Sequence, residues 1–287
     1  MSQVLVVGSS GLLGRALMRR LASGAVGTSR SRDVEGSVVL DALDEEAVMR
    51  VAREVRPTII VNLVAERRPT YWTDLKSLHA TNVVTADNVA KAARMIGADL
   101  VHASTDYVFP SGGPHSTDAL HRPTNAYGAT KSEAETVIRR VHRDAMIIRM
   151  PVLYGSVVRP DECNLSELVR RLHLATGPVN LDTWAQRRPT HVDDVAETLA
   201  CVIKSIEAWR QNTVHVSATG WYSQFEMGQI AAGLLELDPS ILVPVSNDSP
   251  ERPRIVDLEL DDNTPFLDRY RSLEEGLAQL FESYVAT

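Results

Sequence analysis

The sequence predicts an α/β protein with a doubly wound parallel sheet and a smaller, discontinuous C-terminal domain. Three observations predict this class. Short apolar runs alternate with longer helical patterns through residue 150, the runs are continuously apolar, and three glycines directly follow the first run. Strands become continuously apolar when helices cover both faces of their sheet, which is typical of parallel sheets.

The elements follow one another in that rhythm. The predicted strands are 4–7, 25–29, 38–40, 58–64, 99–104 and 145–150, and the predicted helices between them are 12–22, 44–55, 80–96 and 126–141. A helix at 191–206 and a strand at 213–217 are expected to return to the sheet, and the tail holds helices near 223–235 and 272–284. We therefore divide the chain into a nucleotide-binding domain, 1–155 plus about 190–218, and a substrate-binding cap, about 156–189 plus 219–287.

Composition excludes several classes of function. The chain has 287 residues, a net charge of −7 and 44% apolar residues, whereas nucleic-acid and membrane-surface proteins usually present a basic face. Neither an apolar run of membrane-spanning length nor a signal peptide is recognisable. Two cysteines, Cys163 and Cys201, form neither a disulfide framework nor a metal quartet. We expect a cytoplasmic protein without a metal site, and both cysteines buried.

A glycine loop predicts a dinucleotide site of the Rossmann type. Gly8, Gly11 and Gly14 lie between the first strand and the first helix, with the spacing G-x-x-G-x-x-G. Glycines there permit a tight turn and let a pyrophosphate approach the backbone N–H groups of the helix N-terminus. A plain tight turn is the alternative.

Basic residues after the second strand favour NADP over NAD. NAD-binding folds usually place an acidic residue there to accept the ribose hydroxyls, but none occurs between Gly14 and Arg32. Arg30 and Arg32 stand where a 2′-phosphate would lie, and Arg15 follows the last glycine. Ordinary solvated arginines remain the alternative.

Tyr127 and Lys131 share one face of a predicted helix. A tyrosine titrates near 10, so acid–base work near neutral pH needs about 4 kcal/mol of help from cations. On spacing alone, both residues can equally be packing residues.

The glycine loop, the string STDYVF (104–109) and the string YGATK (127–131) together resemble the extended short-chain dehydrogenase/reductases over essentially the whole chain. Within that superfamily the chain is similar to the dTDP-4-dehydrorhamnose reductase branch, and most of all to the group of the regulatory beta subunit of methionine adenosyltransferase. The strings AERRP (65–69), LYG (153–155), QRRPTHVDDVA (186–196) and DSP…RPR (248–254) carry that closer similarity.

The resemblance implies roles for particular residues. Tyr127 would be the general acid, Lys131 would hold the cofactor ribose and lower the tyrosine pKa, and Thr105 would hydrogen-bond the substrate carbonyl. It also implies a set of residues that line the cofactor: Ser10, Leu12, Leu13, Asp41, Ala42, Val64, Ala65, Asn82 and Pro151. Asn82 would order a water near Lys131, or would be a helix-surface amide.

The reaction follows by comparison within the superfamily. Dehydratases carry an Asp-Glu pair after the catalytic threonine, but Asp106 is followed here by Tyr107, so elimination lacks its base. Epimerases usually keep NAD bound, whereas the arginines favour exchangeable NADP. Carbonyl reduction at C4 of a dTDP-4-keto-6-deoxysugar remains, with substrate contacts expected from Asp106, Tyr107, Trp184, Gln186, Arg187 and Arg252. Asp106 can instead be structural.

Two departures keep a second hypothesis open. Phe109 is followed by Pro110-Ser111-Gly112-Gly113 rather than the usual Asp-Gly, and AERRP replaces the segment common in rhamnose-type reductases. The alternative is a non-catalytic NADP-binding regulatory subunit that serves a partner enzyme. A homodimer is also compatible with the resemblance.

Overall fold

The computed structural model describes residues 3–31, 35–68, 70, 72–265 and 269–285. The strands are β1 Val4–Val7, β2 Ala25–Ser29, β3 Val38–Val39, β4 Ile59–Asn62, β5 Asp99–Thr105, β6 Gly112–His115, β7 Met146–Met150, β8 Leu153–Tyr154, β9 Val179–Asp182, β10 Gln186–Arg187, β11 Thr190–His191, β12 Thr213–His215, β13 Tyr222–Ser223, β14 Leu242–Val245 and β15 Val256–Leu258. The α-helices are α1 Leu12–Leu21, α2 Glu45–Val55, α3 Leu75–His79, α4 Thr85–Ile96, α5 Ala126–Val141, α6 Asn164–His173, α7 Val192–Lys204, α8 Ile206–Trp209, α9 Gln224–Leu234 and α10 Leu273–Val285.

Seven strands form one parallel sheet in the order β12-β7-β5-β4-β1-β2-β3. The order reverses direction at β1, so the crevice for a ligand is expected at the carboxyl ends of β1 and β4. The predicted doubly wound parallel sheet is confirmed.

Helices cover both faces of this sheet. On one face α1 and α7 pack together over a core that includes Leu17, Leu199 and Val214. On the other face α2, α4 and α5 bury a second core that includes Val48, Val89 and Ile138. Because apolar side chains are needed on both faces, the strands read as continuous apolar runs.

Helix starts follow from their capping residues. The side chains of Asp44, Asn125 and Ser223 accept hydrogen bonds from backbone N–H groups in the first turns of α2, α5 and α9. The helix predicted at 80–96 is longer than expected. It begins at Leu75 with α3 and passes through a π-helical turn, 80–84, before α4.

The later part of the chain builds a third apolar core, which lies beside the sheet. Residues of α6, α9 and α10 pack with the parallel pair β9–β14 around Leu168, Leu181 and Leu277. In contrast, α7 and β12 lie on the main sheet, with β12 paired to β7. The division into two domains by residue number stays a prediction. Cys163 is buried, whereas Cys201 is half-buried on α7, which corrects the expectation for that cysteine.

Candidate active site

A cleft of about 1260 Å³ lies between the carboxyl ends of the sheet strands and the core that contains α6 and α9. Its wall includes the glycine loop, the end of β5, the first turn of α5 and residues of α6 and α9. Of the residues singled out from the sequence, the following line it: Gly8, Gly11, Leu12, Leu13, Gly14, Ala65, Thr105, Asp106, Tyr107, Tyr127, Lys131, Pro151, Arg187 and Arg252. The fold thus brings most of the predicted site residues together.

The glycine loop is shaped to leave room for a phosphate. A Cβ atom on Gly14 would lie 2.4 Å from the Gly8 carbonyl oxygen and 2.7 Å from Ser9, so only glycine lets α1 pack this closely on the turn. Gly11 precedes α1 and supplies no side-chain cap, which leaves the first-turn N–H groups available at the cleft. This arrangement fits the pyrophosphate of a dinucleotide.

The predicted adenosine end of the cofactor site lies along β2 and the segment after β3. Arg30 is exposed directly after β2, whereas Arg32 falls outside the described residues. Asp41 accepts a hydrogen bond from Leu43 N–H at 3.1 Å. The amide of Asn88 donates to the carbonyl oxygens of Ala42 and Leu43 at 3.1 Å each, which anchors this segment.

The Arg15 guanidinium binds protein groups, chiefly Glu162, rather than a phosphate. Its guanidinium donates to the Ser10 carbonyl oxygen at 2.8 Å and forms a bidentate pair with Glu162, the shorter contact being 2.6 Å. Arg67 donates to the backbone carbonyl of Glu162 as well. Glu162 therefore ties α1 and the segment after β4 to the turn that precedes α6.

Thr105, Asp106 and Tyr127 form the centre of the cleft. The Thr105 hydroxyl donates to Asp106 Oδ1 at 2.9 Å, and Thr105 also shares a hydrogen bond with the Tyr127 phenol. Asp106 is buried, and burial raises its pKa to about 6, against the lowering influence of Arg187 and of the Thr105 hydrogen bond. Burial also raises the pKa of Tyr127. The Thr105 hydrogen bond and the charge of Arg67 lower it, and the Asp106 charge raises it further.

Aromatic rings enclose Tyr127 on two sides. The Trp72 ring lies parallel to the Tyr127 ring with 6.2 Å between centroids, and the Tyr107 ring meets it edge-on at 6.1 Å. The buried indole N–H of Trp72 has no hydrogen-bond partner within the described ranges. This surrounding removes water from the phenol, which is the physical cause of its raised pKa.

Lys131 lies one helical turn after Tyr127 and is fully buried. Its ammonium nitrogen, Nζ, lies 2.6 Å from the Ala103 carbonyl oxygen and 3.1 Å from His102 Nε2. Burial lowers the pKa of Lys131 to about 8, and the charge of Glu135 on the same helix raises it in part. Burial and Lys131 together hold the pKa of His102 well below its usual range.

Asn82 lies in the π-helical turn and is fully buried, so the alternative of a helix-surface amide is wrong. Its oxygen accepts from Glu66 N–H at 2.8 Å, and its nitrogen donates to the Glu66 carbonyl at 3.1 Å and to Thr130 Oγ1 at 2.9 Å. These bonds fasten the segment after β4 to α5. Val64, in the same segment, donates its N–H to Asn62 Oδ1 at 3.2 Å.

Two arginines in the substrate half of the cleft bond to neighbouring protein groups. Arg187 is buried, donates to the Tyr107 hydroxyl at 3.1 Å and to the Pro253 carbonyl at 2.8 Å, and so orients the ring beside Tyr127. Arg252 pairs with Asp182 at 2.9 Å. Trp184 and Gln186 are not in the cleft wall. Gln186 instead donates its N–H to the Arg254 carbonyl at 2.8 Å.

Several residues at this site were not singled out from the sequence: Asn62, Arg67, Trp72, His102, Glu162 and Asp182. Asn62 carries one recognisable signal, a polar residue at the carboxyl end of an apolar strand, and His102 is a polar residue in the middle of the next strand of the sheet. Trp72 and Arg67 carry no comparable signal, because their approach to Tyr127 depends on the path of the segment after β4.

Two further observations concern metal ions and membranes. Within the described part of the chain, no group of three or more His, Cys, Asp or Glu side chains is placed to hold a metal ion. The helices found there include none with both the length and the apolar content needed to cross a bilayer.

Comparisons with known proteins agree with this geometry. The family model described as RmlD substrate binding domain matches residues 1–285. The methionine adenosyltransferase 2 subunit beta of Bos taurus is 33% identical over 272 residues, which cover 90% of this chain and 80% of the relative. The dTDP-4-dehydrorhamnose reductase of Mycolicibacterium smegmatis is 26% identical over 262 residues, covering 88% of this chain and 75% of the relative.

A solved structure shows the same similarity in three dimensions. The dTDP-4-dehydrorhamnose reductase of Bacillus anthracis, solved in complex with NADP, superposes with a TM-score of 0.81 and 27% identity over 98% of this chain and 99% of its own. The sequence family, the seven-stranded parallel sheet and the cleft at its carboxyl edge therefore lead to one conclusion: the chain belongs to the RmlD substrate-binding-domain family of extended short-chain dehydrogenase/reductases.

Proposed function

We propose that this protein is an NADPH-dependent carbonyl reductase whose substrate is the C4 ketone of a dTDP-4-keto-6-deoxysugar. The observation that carries the proposal is the meeting of Thr105, Tyr127 and Lys131 in one cleft that also opens onto the glycine loop. The relatives named as dTDP-4-dehydrorhamnose reductases, one of them solved with NADP, support both the reaction and the cofactor.

The glycine loop and the uncapped start of α1 fit the dinucleotide pyrophosphate, and Arg30 is the candidate for a 2′-phosphate. When bound, NADPH would supply the hydride. The chain's own contribution is at the oxygen of the substrate carbonyl. Tyr127 lies where its phenol can donate to that oxygen, and the Thr105 hydroxyl can donate to it once that hydroxyl turns away from Asp106 Oδ1; both bonds would stabilise the developing charge.

Proton donation then falls to Tyr127. Its phenol is protonated at neutral pH, which is the state that a reductase needs before turnover. Burial raises the pKa of Tyr127 and so weakens it as an acid, and the charge of Arg67 acts against that rise. Trp72 and Tyr107 exclude water from the phenol, and Arg187 fixes the Tyr107 ring from behind. Asp106 lacks the neighbouring glutamate of the dehydratases, since Tyr107 occupies that place.

A second function is favoured by a separate observation. The relatives named as subunit beta of methionine adenosyltransferase 2 are 31–33% identical and align over 86–90% of this chain. The alternative is therefore a regulatory subunit that keeps the nucleotide site and binds a partner enzyme. A homodimer is a further proposal that fits either function.

The test is NADPH consumption by the purified protein with dTDP-4-keto-6-deoxyglucose generated in situ, with NADH in parallel. Turnover that prefers NADPH supports the reductase. In Tyr127→Phe, turnover should fall at least about a hundredfold while the NADPH dissociation constant stays within a few-fold. Tyr222→Phe, which removes a phenol outside the cleft wall, is the matched control.

Binding without turnover would oppose the reductase. The protein would then be mixed with a methionine adenosyltransferase catalytic subunit, and co-elution unchanged by Tyr127→Phe would support the regulatory function. Wild-type turnover in Tyr127→Phe would end the assignment of this tyrosine as the acid.

A further inference from the structure

The Tyr107 hydroxyl is held by one buried arginine. Arg187 donates to this oxygen twice, from Nε at 3.2 Å and from Nη2 at 3.1 Å. Tyr107 belongs to the turn that follows β5, where its backbone N–H donates to Thr105 Oγ1 at 3.3 Å. These bonds fix the phenol in the wall of the cleft, close to Thr105.

Arg187 has no N–H group left for a ligand. A guanidinium side chain carries five N–H hydrogens, and two of them go to Tyr107. The other three go to backbone carbonyl oxygens at 2.7, 3.1 and 2.8 Å, which belong to Gln186, Arg254 and Pro253. Arg187 can therefore act on a ligand only through its charge and through the phenol that it holds.

The hydrogen of the Tyr107 hydroxyl is free to bind a ligand. A phenol oxygen that accepts two N–H bonds keeps one further role, which is to donate its own hydrogen. Among the residues that the structure describes, none accepts that hydrogen. Tyr107 lines the cleft and is half-buried, so an oxygen of a bound ligand can accept it. Because the phenol itself accepts from a cation, it is polarised and donates more strongly.

The oxygen of the reacting carbonyl has no place for this third donor. In the proposed reaction it accepts from Tyr127 and Thr105, which fill the two lone pairs of a carbonyl oxygen. The Tyr107 ring meets the Tyr127 ring edge-on, with 6.1 Å between the centroids, so both phenols face the same part of a ligand. In a keto sugar, the oxygen nearest to the carbonyl oxygen on the sugar carbons is the hydroxyl of the neighbouring carbon.

We propose that Tyr107 is a specificity-determining residue that donates to a hydroxyl on the carbon next to the reacting ketone, and that Arg187 is the residue that positions it. The inference rests on the proposed function for the identity of the reacting carbonyl. It narrows the substrate class to α-hydroxy ketones. An analogue without that hydroxyl leaves the Tyr107 donor unpaired, and a site of this kind rejects such analogues.

The test compares two ligands that differ by one oxygen, dTDP-4-keto-6-deoxyglucose and its 3-deoxy analogue. Each is titrated calorimetrically into the full-length protein saturated with NADP⁺, which carries no hydride and so leaves both ketones unreacted. The wild type should bind the 3-hydroxy ligand at least about tenfold more tightly than the 3-deoxy analogue. Equal affinities, or no binding of either ligand, would overturn the inference.

Tyr107→Phe removes the donor and keeps the ring. Its affinity for the 3-hydroxy ligand should fall about tenfold, whereas its affinity for the 3-deoxy analogue should stay the same or rise, because no unpaired phenol remains. Damage to the fold would weaken both ligands alike, so the ratio of the two affinities separates recognition from structure. Tyr222→Phe, which removes a phenol outside the cleft wall, should keep the wild-type ratio. A wild-type ratio in Tyr107→Phe would also overturn the inference.

These titrations need no turnover, so they are independent of the NADPH assay. The expected ratio of affinities in a protein without turnover would support the hydroxyl subsite and remove the reductase assignment. Turnover together with equal affinities would support the reductase and overturn the subsite.

Discussion

Asp106 is a carboxyl group whose ionisation is disfavoured in the folded protein. It is 2% exposed, and burial raises its pKa to about 6, compared with about 4 in an unfolded chain. The folded protein therefore binds more protons than the unfolded chain between these values. Stability that is present below about pH 4 is lost as the pH rises through about 6.

Asp106→Asn should remove this cost. We expect the variant to gain stability over the wild type between about pH 4 and pH 6, and to lead by on the order of 2–3 kcal/mol at higher pH. Urea unfolding across this range measures the difference. Asp262→Asn, at an exposed position, serves as the control. A gain of the same size at every pH would contradict this account.

Arg30 is the exposed cation that follows β2. If it grips a 2′-phosphate, Arg30→Ala should weaken NADPH binding by about ten- to a hundredfold and leave NADH binding unchanged, because only NADPH carries that phosphate. Titration calorimetry with both cofactors measures this. Arg50→Ala, an exposed arginine on α2, is the control. Equal weakening for both cofactors would show that Arg30 does not select the phosphate.

At the scale of elements, the first turn of α5 is set by one close contact. A Cβ atom on Gly128 would lie 2.1 Å from the Tyr107 carbonyl oxygen and 2.9 Å from its carbon. This contact holds the helix that carries Tyr127 and Lys131 against the turn that carries Thr105 and Asp106.

Gly128→Ala should push these two elements apart. We expect a loss of about 1–3 kcal/mol of stability and a fall in kcat/KM of at least about tenfold, with NADPH affinity less affected. Gly233, on α9, has no atom within 4 Å of an added Cβ, and Gly233→Ala should be neutral or slightly stabilising. Thermal unfolding and steady-state rates measure both variants. Wild-type values for Gly128→Ala would refute the role of this contact.

The elements themselves were predictable from sequence because their apolar periodicity is strong. Strand β1 and helix α5 have the predicted bounds, and α2 begins within one residue of its prediction. The π-helical turn was not predictable, since it depends on Asn82 bonding to Glu66 and Thr130 across the fold. In the cleft, the family motif STDYVF identified Thr105, which ends β5, and Asp106, which follows it. The partners of Lys131, His102 and the Ala103 carbonyl, both come from β5, and Asn62 of β4 bonds His102 only because the strand register places the two side by side.

Across the whole molecule, a buried polar group links the sheet to its surroundings. Arg149 on β7 is 4% exposed and pairs with Glu135 of α5 at 2.8 Å. It also donates to Nε2 of His121 at 2.8 Å and of His215 at 3.2 Å. Both histidines must stay neutral to accept. Burial, with the Arg149 charge, lowers the pKa of His215 to about 4 and that of His121 in the same direction.

The lowered pKa values of these two histidines predict that acid destabilises the folded protein. The unfolded histidines take up protons near pH 6.5 and the folded ones at lower pH, so stability is full above about 6.5 and falls toward about 4. For His215 alone the loss approaches about 3 kcal/mol. Burial raises the pKa of Glu135, but its bonds to Arg149 lower it overall, so Glu135 contributes stability that is also lost in acid.

His215→Gln keeps an acceptor for Arg149 but does not titrate. Its melting temperature should therefore fall less between about pH 6.5 and pH 4 than that of the wild type. His173→Gln, at an exposed position of α6, should keep the wild-type slope. Parallel slopes for His215→Gln and the wild type would contradict the prediction.

The position of β12 has a consequence for synthesis of the protein. This edge strand and α7, which packs on α1, are made only after residue 190, although they complete a sheet whose first strand begins at Val4. A nascent chain that has emerged only as far as residue 155 leaves the apolar face of α1 uncovered and the edge of β7 open. We therefore expect this region to need protection by chaperones during translation, until most of the polypeptide has left the ribosome.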